Sequence, residues 1–178
     1  MIYCLIGQSA SGKSTIERNL EEMGFPRIIS YTTRPLRKGE TNGVDYHFID
    51  CQTFHELKNK GFFAETAQYR DWWYGLSLDG LDYRDNIYIV VVTVHGYKEL
   101  LRIVGKENVK AIHIKVDARE RMKRQLKRGD EVDEIIRRFY TDRSDFADVE
   151  EISDYIVVNE EIDSAIKDVI RIISSKAK

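Results

Sequence analysis

Two cysteines, two prolines and two tryptophans are all that the 178 residues hold of these types. Cys4 and Cys51 stand far apart, with no C-x-x-C and no histidine pair at metal-ligand spacing. A disulfide framework and a zinc knuckle are thereby excluded, and two buried free thiols in a reducing cytosol are expected. No proline- or serine-rich linker, internal repeat or low-complexity tract interrupts the chain. Long hydrophobic runs are missing too: the longest, "IYIVVVTV" (Ile87–Val94), is strand-sized and far short of the roughly 20 residues that span a bilayer. The N-terminus lacks a basic n-region and meets Gly7 after six residues, so it does not read as a signal peptide. Charge of one sign is also lacking, since 28 Lys and Arg face 30 Asp and Glu for a net charge of −2. That balance argues against a general polyanion binder such as a nucleic-acid protein. A cytoplasmic protein with no membrane partner is expected.

What is present fits one globular domain: 42% hydrophobic and 33% charged residues in a chain that can bury roughly 70% of its unfolded surface. Short apolar runs, "IYCLI" (Ile2–Ile6), "YIVVVTV" (Tyr88–Val94), "AIHIKV" (Ala111–Val116) and "DYIVVN" (Asp154–Asn159), alternate with amphipathic segments. The last of these segments is the C-terminal "AIKDVIRIISSK". Strands of this continuous apolar type indicate an α/β fold with a parallel sheet. The stretch from Ile28 to Ser77 departs from the pattern. There "VDYHFI" and "FFAETAQY" alternate, with a helix between them that Thr53 and Glu56 would box and Gly61 would end. The expectation is a small mixed-β lobe inserted into the core.

The sharpest motif is "GQSASGKST", Gly7 to Thr15, which fits G-x-x-x-x-G-K-[ST] after a strand and before a helix, as a phosphate-binding loop requires. Backbone N–H groups of Ser9, Ala10, Ser11, Gly12, Lys13, Ser14 and Thr15 would turn around phosphate oxygens at a helix N-terminus. Lys13 would reach the β- and γ-phosphates, and the Ser14 hydroxyl is placed for Mg²⁺. A nucleoside triphosphate is the expected ligand. A second anion site is suggested by "SYTTRPLRKGETNGVDYHF" (Ser30–Phe48), where Arg34, Arg37 and Lys38 gather. Two arginines three residues apart, with Ser30 and Tyr46 on either side, suit one phosphate monoester. An ordinary solvated basic loop is the alternative.

These two stretches, together with "FAETAQYRDWWYGLS", "RMKRQLKRGDEVDEIIRRF" and "DYIVVNEEIDSAIKDVI", resemble the guanylate kinases nearly end to end. The resemblance implies a P-loop three-layer core (residues 1–27, 87–117 and 149–178), an acceptor-binding lobe (28–86) and a helical lid (118–148). It implies that Ser30, Arg34, Arg37, Tyr46, Glu65, Tyr74 and Ser77 hold GMP or dGMP. It places Arg124 and Arg138 on the transferring phosphoryl, and Arg128 and Asn159 on ATP. Chemistry supports Glu65 separately: guanine alone among the common bases offers two adjacent donors, N1–H and the N2 amino group, to an ionised carboxylate.

The match has departures. "YGLS" puts Leu76 where the family has a hydroxyl, and "VVTVHG" puts Val91 and Thr93 where it has two acids. Read as one strand, this segment would turn Val91, Thr93 and His95 to one face. Each lost polar base contact would be worth about 1–3 kcal/mol. In the lid, Arg124 and Arg128 are four apart on one helix face, and Gly129 with Asp130 makes the turn to a second helix carrying Arg138. Arg119, Arg121, Lys123 and Lys127 read as solvated surface. Trp72 and Trp73 read as lobe packing, since no basic stripe accompanies them, and the four histidines as packing or surface residues. Two other functions stay open. One is a kinase of this architecture acting on another nucleotide or a phosphorylated sugar. The other is a non-catalytic binding module, against which Lys13 and Ser14 stand.

Overall fold

The computed structural model describes residues 1–37, 39–69 and 71–175; Lys38 of the basic loop, Arg70 and Lys176 lie outside them. The central strand is β1 (Ile2–Ile6), every residue of which is buried. Parallel strands flank it: β6 (Tyr88–Val91), β7 (Val109–Lys115) and β8 (Tyr155–Val158), in the order β6-β1-β7-β8. Cys4 pairs with Val90 on one side and Ala111 on the other. Alternation divides β1 between two cores. Tyr3 and Leu5 face α1 (Lys13–Glu22) and α7 (Ile162–Ser174), through Ile16, Leu20, Ile166 and Val169. Ile2, Cys4 and Ile6 face α3 (Val94–Val104) and α6 (Val149–Ile152), through Tyr97, Leu100 and Val149. The parallel sheet is the one expected of the apolar runs, and the three layers are those that the resemblance implies.

One strand is shorter than its sequence suggests. The β-branched run continues to Val94, but β6 ends at Val91 and Thr93 caps α3, its hydroxyl accepting from the Gly96 N–H at 3.0 Å. A threonine serves a strand or an N-cap equally well, and here the cap prevails. Val91, Thr93 and His95 therefore do not share a strand face, and His95 is exposed on the helix.

The inserted lobe is a second sheet: β2 (Tyr31–Thr32), β3 (His47–Phe48), β4 (Glu65–Tyr69) and β5 (Trp72–Leu76), in the order β3-β2-β5-β4. β2 runs parallel to β3 and antiparallel to β5, so the sheet is mixed. Its core is aromatic. Phe54 stacks on Phe63 with centroids 4.7 Å apart and lies 5.9 Å from Trp73, and Tyr31 meets Phe63 edge-on. Phe54 belongs to α2 (Cys51–Asn59), whose cap is Asp50 rather than Thr53. The Asp50 carboxylate accepts from the Thr53 N–H at 2.7 Å and from its hydroxyl at 3.0 Å, one turn earlier than the capping box expected. Asp50→Ala should lower the urea-unfolding midpoint, through loss of the helix cap, without moving any ligand contact. Cys51 is exposed at the first position of that helix, contrary to the expectation of two buried thiols; Cys4 is buried, and burial raises its thiol pKa.

Residues 77–87 form turns without a helix, with Gly80 at φ 72° and Leu78, Leu81 and Tyr83 laid on the core. Beyond β7 come α4 (Ala118–Arg128) and α5 (Val132–Asp145), joined through Gly129 in the left-handed conformation at φ 84°.

Candidate active site

β1 ends directly in the phosphate-binding loop, which wraps the N-terminus of α1. Gly12 takes φ 93°, and a Cβ there would come within 2.4 Å of the Asn159 Nδ2 atom, so a side chain is excluded by both conformation and space. Asn159 follows β8 and donates from Nδ2 to the Ser11 carbonyl at 2.8 Å; its Oδ1 has no hydrogen-bond partner among the described residues. The Lys13 ammonium donates to the carbonyls of Gly7 (2.6 Å) and Gln8 (3.0 Å) and, at 3.4 Å, to the Ser11 hydroxyl. Burial pushes its pKa down to about 8, which the nearby Asp142 carboxylate opposes. Ser14 and Thr15 are exposed at the start of α1.

Asp142, on α5, is a residue that the sequence did not single out. Its Oδ2 atom accepts from the Ser9 N–H at 2.9 Å and from Arg121 Nη1 at 3.1 Å. Arg121 is not solvated surface as expected. It is 5% exposed and packs over the Phe139 ring at 4.6 Å, tying α4 to α5 beneath the loop. A buried ion pair between segments twenty-one residues apart leaves only two ordinary charged residues in the sequence.

The acceptor-side residues gather around a cavity of about 230 Å³, whose wall includes Ser14, Ser30, Arg34, Arg37, Tyr46 and Tyr74. Thr32 and β5 fix this loop: the Arg34 N–H donates to the Thr32 hydroxyl at 3.1 Å, and that hydroxyl donates to the Trp73 carbonyl at 3.0 Å. The Arg34 guanidinium forks onto Glu40, at 2.9 and 2.7 Å, and lies over the rings of Tyr46 and Phe48. Tyr46 and Tyr74 meet edge-on at 6.0 Å. Glu17, Arg18 and Arg27 line the same wall and were not foreseen.

Glu65 and Ser77 lie outside this wall. Glu65, the first residue of β4, approaches α3, where its Oε1 atom would be 3.0 Å from a Cβ at Gly96. Its Oε2 atom is buried with no hydrogen-bond partner among the described residues. Burial, reinforced by Glu99, raises its pKa to about 7. Ser77 is buried after β5 and accepts from the Asp79 N–H at 3.1 Å. Leu76, opposite Glu65 in the sheet, is fully buried in the core facing α3, a role that a hydroxyl could not fill.

The lid arginines are paired with acids. Arg124 donates to Glu120 at 3.2 Å and to the Asn159 carbonyl at 3.1 Å. Arg128 and Arg138 both bond Asp130, and Arg138 also donates to Glu134 at 2.8 Å. Arg138 lines a separate open groove at the start of α5 rather than the cavity of Arg34 and Tyr46.

Among the described residues no cluster of His, Cys, Asp and Glu could hold a metal alone. The exposed Ser14 hydroxyl beside the Glu17 carboxylate is a hard-oxygen donor set. It suits Mg²⁺, which takes one or two protein oxygens and completes its shell with phosphate and water.

Comparison with known proteins completes the description. A family model described as guanylate kinase matches residues 1–176. A guanylate kinase of Nitrosomonas europaea is 29% identical over 182 residues, spanning 98% of this chain and 89% of that one. One from Legionella pneumophila is 31% identical over 168 residues, spanning 92% and 80% respectively. The crystal structure of guanylate kinase from Anaplasma phagocytophilum superposes with a TM-score of 0.76 at 24% identity, over 100% of this chain and 87% of that one, a likeness of fold. With the family match running from the first strand to the end of the last helix, the chain belongs to the guanylate kinase family.

Proposed function

We propose that the protein transfers the γ-phosphoryl group of ATP to the phosphate of GMP or dGMP, giving ADP and the nucleoside diphosphate. Family membership supports the reaction. The observation that carries the site assignment is the single cavity in which Ser14, from the phosphate-binding loop, meets Ser30, Arg34, Arg37, Tyr46 and Tyr74. In this reading the cavity receives the acceptor phosphate, and a phosphate oxygen attacks the γ-phosphorus in line.

Phosphoryl transfer needs positioning and charge neutralisation rather than a covalent protein intermediate. Lys13 exchanges its two carbonyl partners for β- and γ-oxygens. Arg37, exposed and free of the fork that holds Arg34, joins Tyr46 on the acceptor phosphate. Arg124, Arg128 and Arg138 release their lid carboxylates as α4 and α5 close, and closure keeps water from the γ-phosphate. Ser14 would hold the Mg²⁺ that accompanies ATP, which would supply neutralising charge to the phosphates. The reaction belongs in the cytoplasm, a setting that the two free thiols fit. Among the described residues no helix is long and apolar enough to cross a membrane.

The test is ADP release from ATP and Mg²⁺ with GMP, dGMP, IMP, AMP, CMP, UMP and dTMP. Turnover confined to the guanine nucleotides is expected, and turnover of another monophosphate alone would overturn the base assignment. Glu65 gives a sharper form. Glu65→Gln should lower kcat/KM for GMP by about 10- to 100-fold, the loss of a charged acceptor facing two donors. It should also change how stability depends on pH. Between pH 4.5 and about 7 the folded chain keeps a proton on Glu65 that the unfolded chain has released. Stability therefore falls as pH rises through that window. Glutamine removes this dependence, so the variant should gain melting temperature relative to the parent above pH 7. An unchanged GMP constant would remove Glu65 from the base site.

A further inference from the structure

The sequence lacks acids at the end of β6, where Val91 and Thr93 stand in place of the two that the family resemblance leads one to expect. A carboxylate is nevertheless present there. Glu17 projects from α1, and its Oε1 atom accepts from the Val91 N–H at 3.1 Å. The side chain is 11% exposed and faces the cavity that also contains Ser14. Ser14 and Glu17 are three residues apart on α1, and therefore on one face of the helix. The second oxygen, Oε2, stands 3.7 Å from Arg27 Nη1, an ion pair too long for a hydrogen bond.

Arg27 is itself anchored. Its Nε atom lies 2.8 Å from Glu21, and its Nη2 atom donates to the Val44 carbonyl. It stands beside β6, where Ile28 donates to the Ile89 carbonyl at 2.8 Å and Ile89 donates back to Pro26 at 2.9 Å. The Val91 amide thus fixes one oxygen of Glu17, and the other faces the Arg27 guanidinium. Oε2 is left without a hydrogen-bond partner among the described residues, in a side chain that lines the cavity with Ser14.

We propose that Glu17 supplies a carboxylate that would orient the hydrated Mg²⁺ of the bound nucleotide, from the same face of α1 that carries Ser14. One such oxygen suffices, because Mg²⁺ keeps several waters and takes its remaining ligands from phosphate. Glu17 acts through those waters and is a positioning residue, and Arg27 supports it in turn. This rests on the reading of the loop as an ATP site, and the experiment separates the two.

Calorimetry would measure ADP affinity in EDTA and in excess Mg²⁺, for the parent and for Glu17→Gln. The parent should bind ADP in both conditions, more tightly with Mg²⁺. In Glu17→Gln the affinity in EDTA should be unchanged, and the gain from Mg²⁺ should shrink about tenfold, the usual cost of losing an outer-shell partner. Should removing one charge of the pair prevent folding, Glu17→Leu with Arg27→Leu removes both and should show the same loss. A full Mg²⁺ gain in either folded variant would overturn the proposal and leave Glu17 as a structural ion pair. Failure of the parent to bind ADP in EDTA would instead count against the loop as a nucleotide site.

Discussion

Lys13→Met should lower kcat by about a thousandfold or more while the protein stays folded, because a full positive charge is removed from the transferring group in a site that depends on charge neutralisation. Methionine keeps the length of the side chain and most of its packing. The ammonium donates to the Gly7 and Gln8 carbonyls and, at 3.4 Å, to the Ser11 hydroxyl, and burial already depresses its pKa to about 8. Removing it therefore relieves a desolvation cost, and the melting temperature should hold or rise. That separates a catalytic loss from an unfolded enzyme. Steady-state kinetics at saturating ATP and GMP would read the effect in kcat, since the charge matters most where negative charge is redistributed in the transition state. A kcat within tenfold of the parent would show that the loop's backbone carries the reaction without Lys13.

The loop that holds Lys13 could be read from the sequence because its signal is local. Glycine positions, the lysine and the hydroxyl fall at fixed spacing between a strand and a helix, and the conformations they need are set within nine residues. The basic loop was legible for the same reason, with Ser30, Arg34, Arg37 and Tyr46 within one stretch of seventeen. The parts that went unread are joined across the chain. Glu17 meets Val91 and Arg27, and Asp142 meets Ser9 and Arg121, only after the sheet and lid have folded. In sequence each looks like one more charge on an amphipathic helix, since a buried ion pair and a solvated one have the same composition. Arg121 shows the cost most plainly: "ERMKRQLKR" gives no sign of which of its cations turns inward. The end of β6 was misjudged for another reason. Val and Thr favour strands, so the run hides the point where Thr93 leaves the sheet and caps α3. Leu76 reads as a departure in the base site, and it packs in the core.

Arg34→Ala should raise the KM for GMP by about 100-fold, the worth of a forked, charge-assisted contact to a phosphate, with little change in the KM for ATP. The difficulty is that Arg34 already has work in the free protein. It is 5% exposed, forks onto Glu40, donates to the Pro35 carbonyl at 2.9 Å and lies over the Tyr46 and Phe48 rings. Truncating it takes the guanidinium from the half-buried Glu40, which costs about 1–3 kcal/mol. A poor KM in the single variant could therefore come from a collapsed loop. Arg34→Ala with Glu40→Ala resolves this, because removing both partners leaves no unpaired charge. Glu40 also accepts from the Arg37 N–H at 2.8 Å, so some loop order is lost with it. The double variant should nevertheless recover most of the melting temperature, and its KM for GMP should stay high. Recovery of both together would assign Arg34 to the fold of the loop alone and leave Arg37 and Tyr46 to hold the acceptor phosphate. Recovery of stability without KM would mean that the fork onto Glu40 is the resting partner of a guanidinium that turns to the phosphate when GMP arrives.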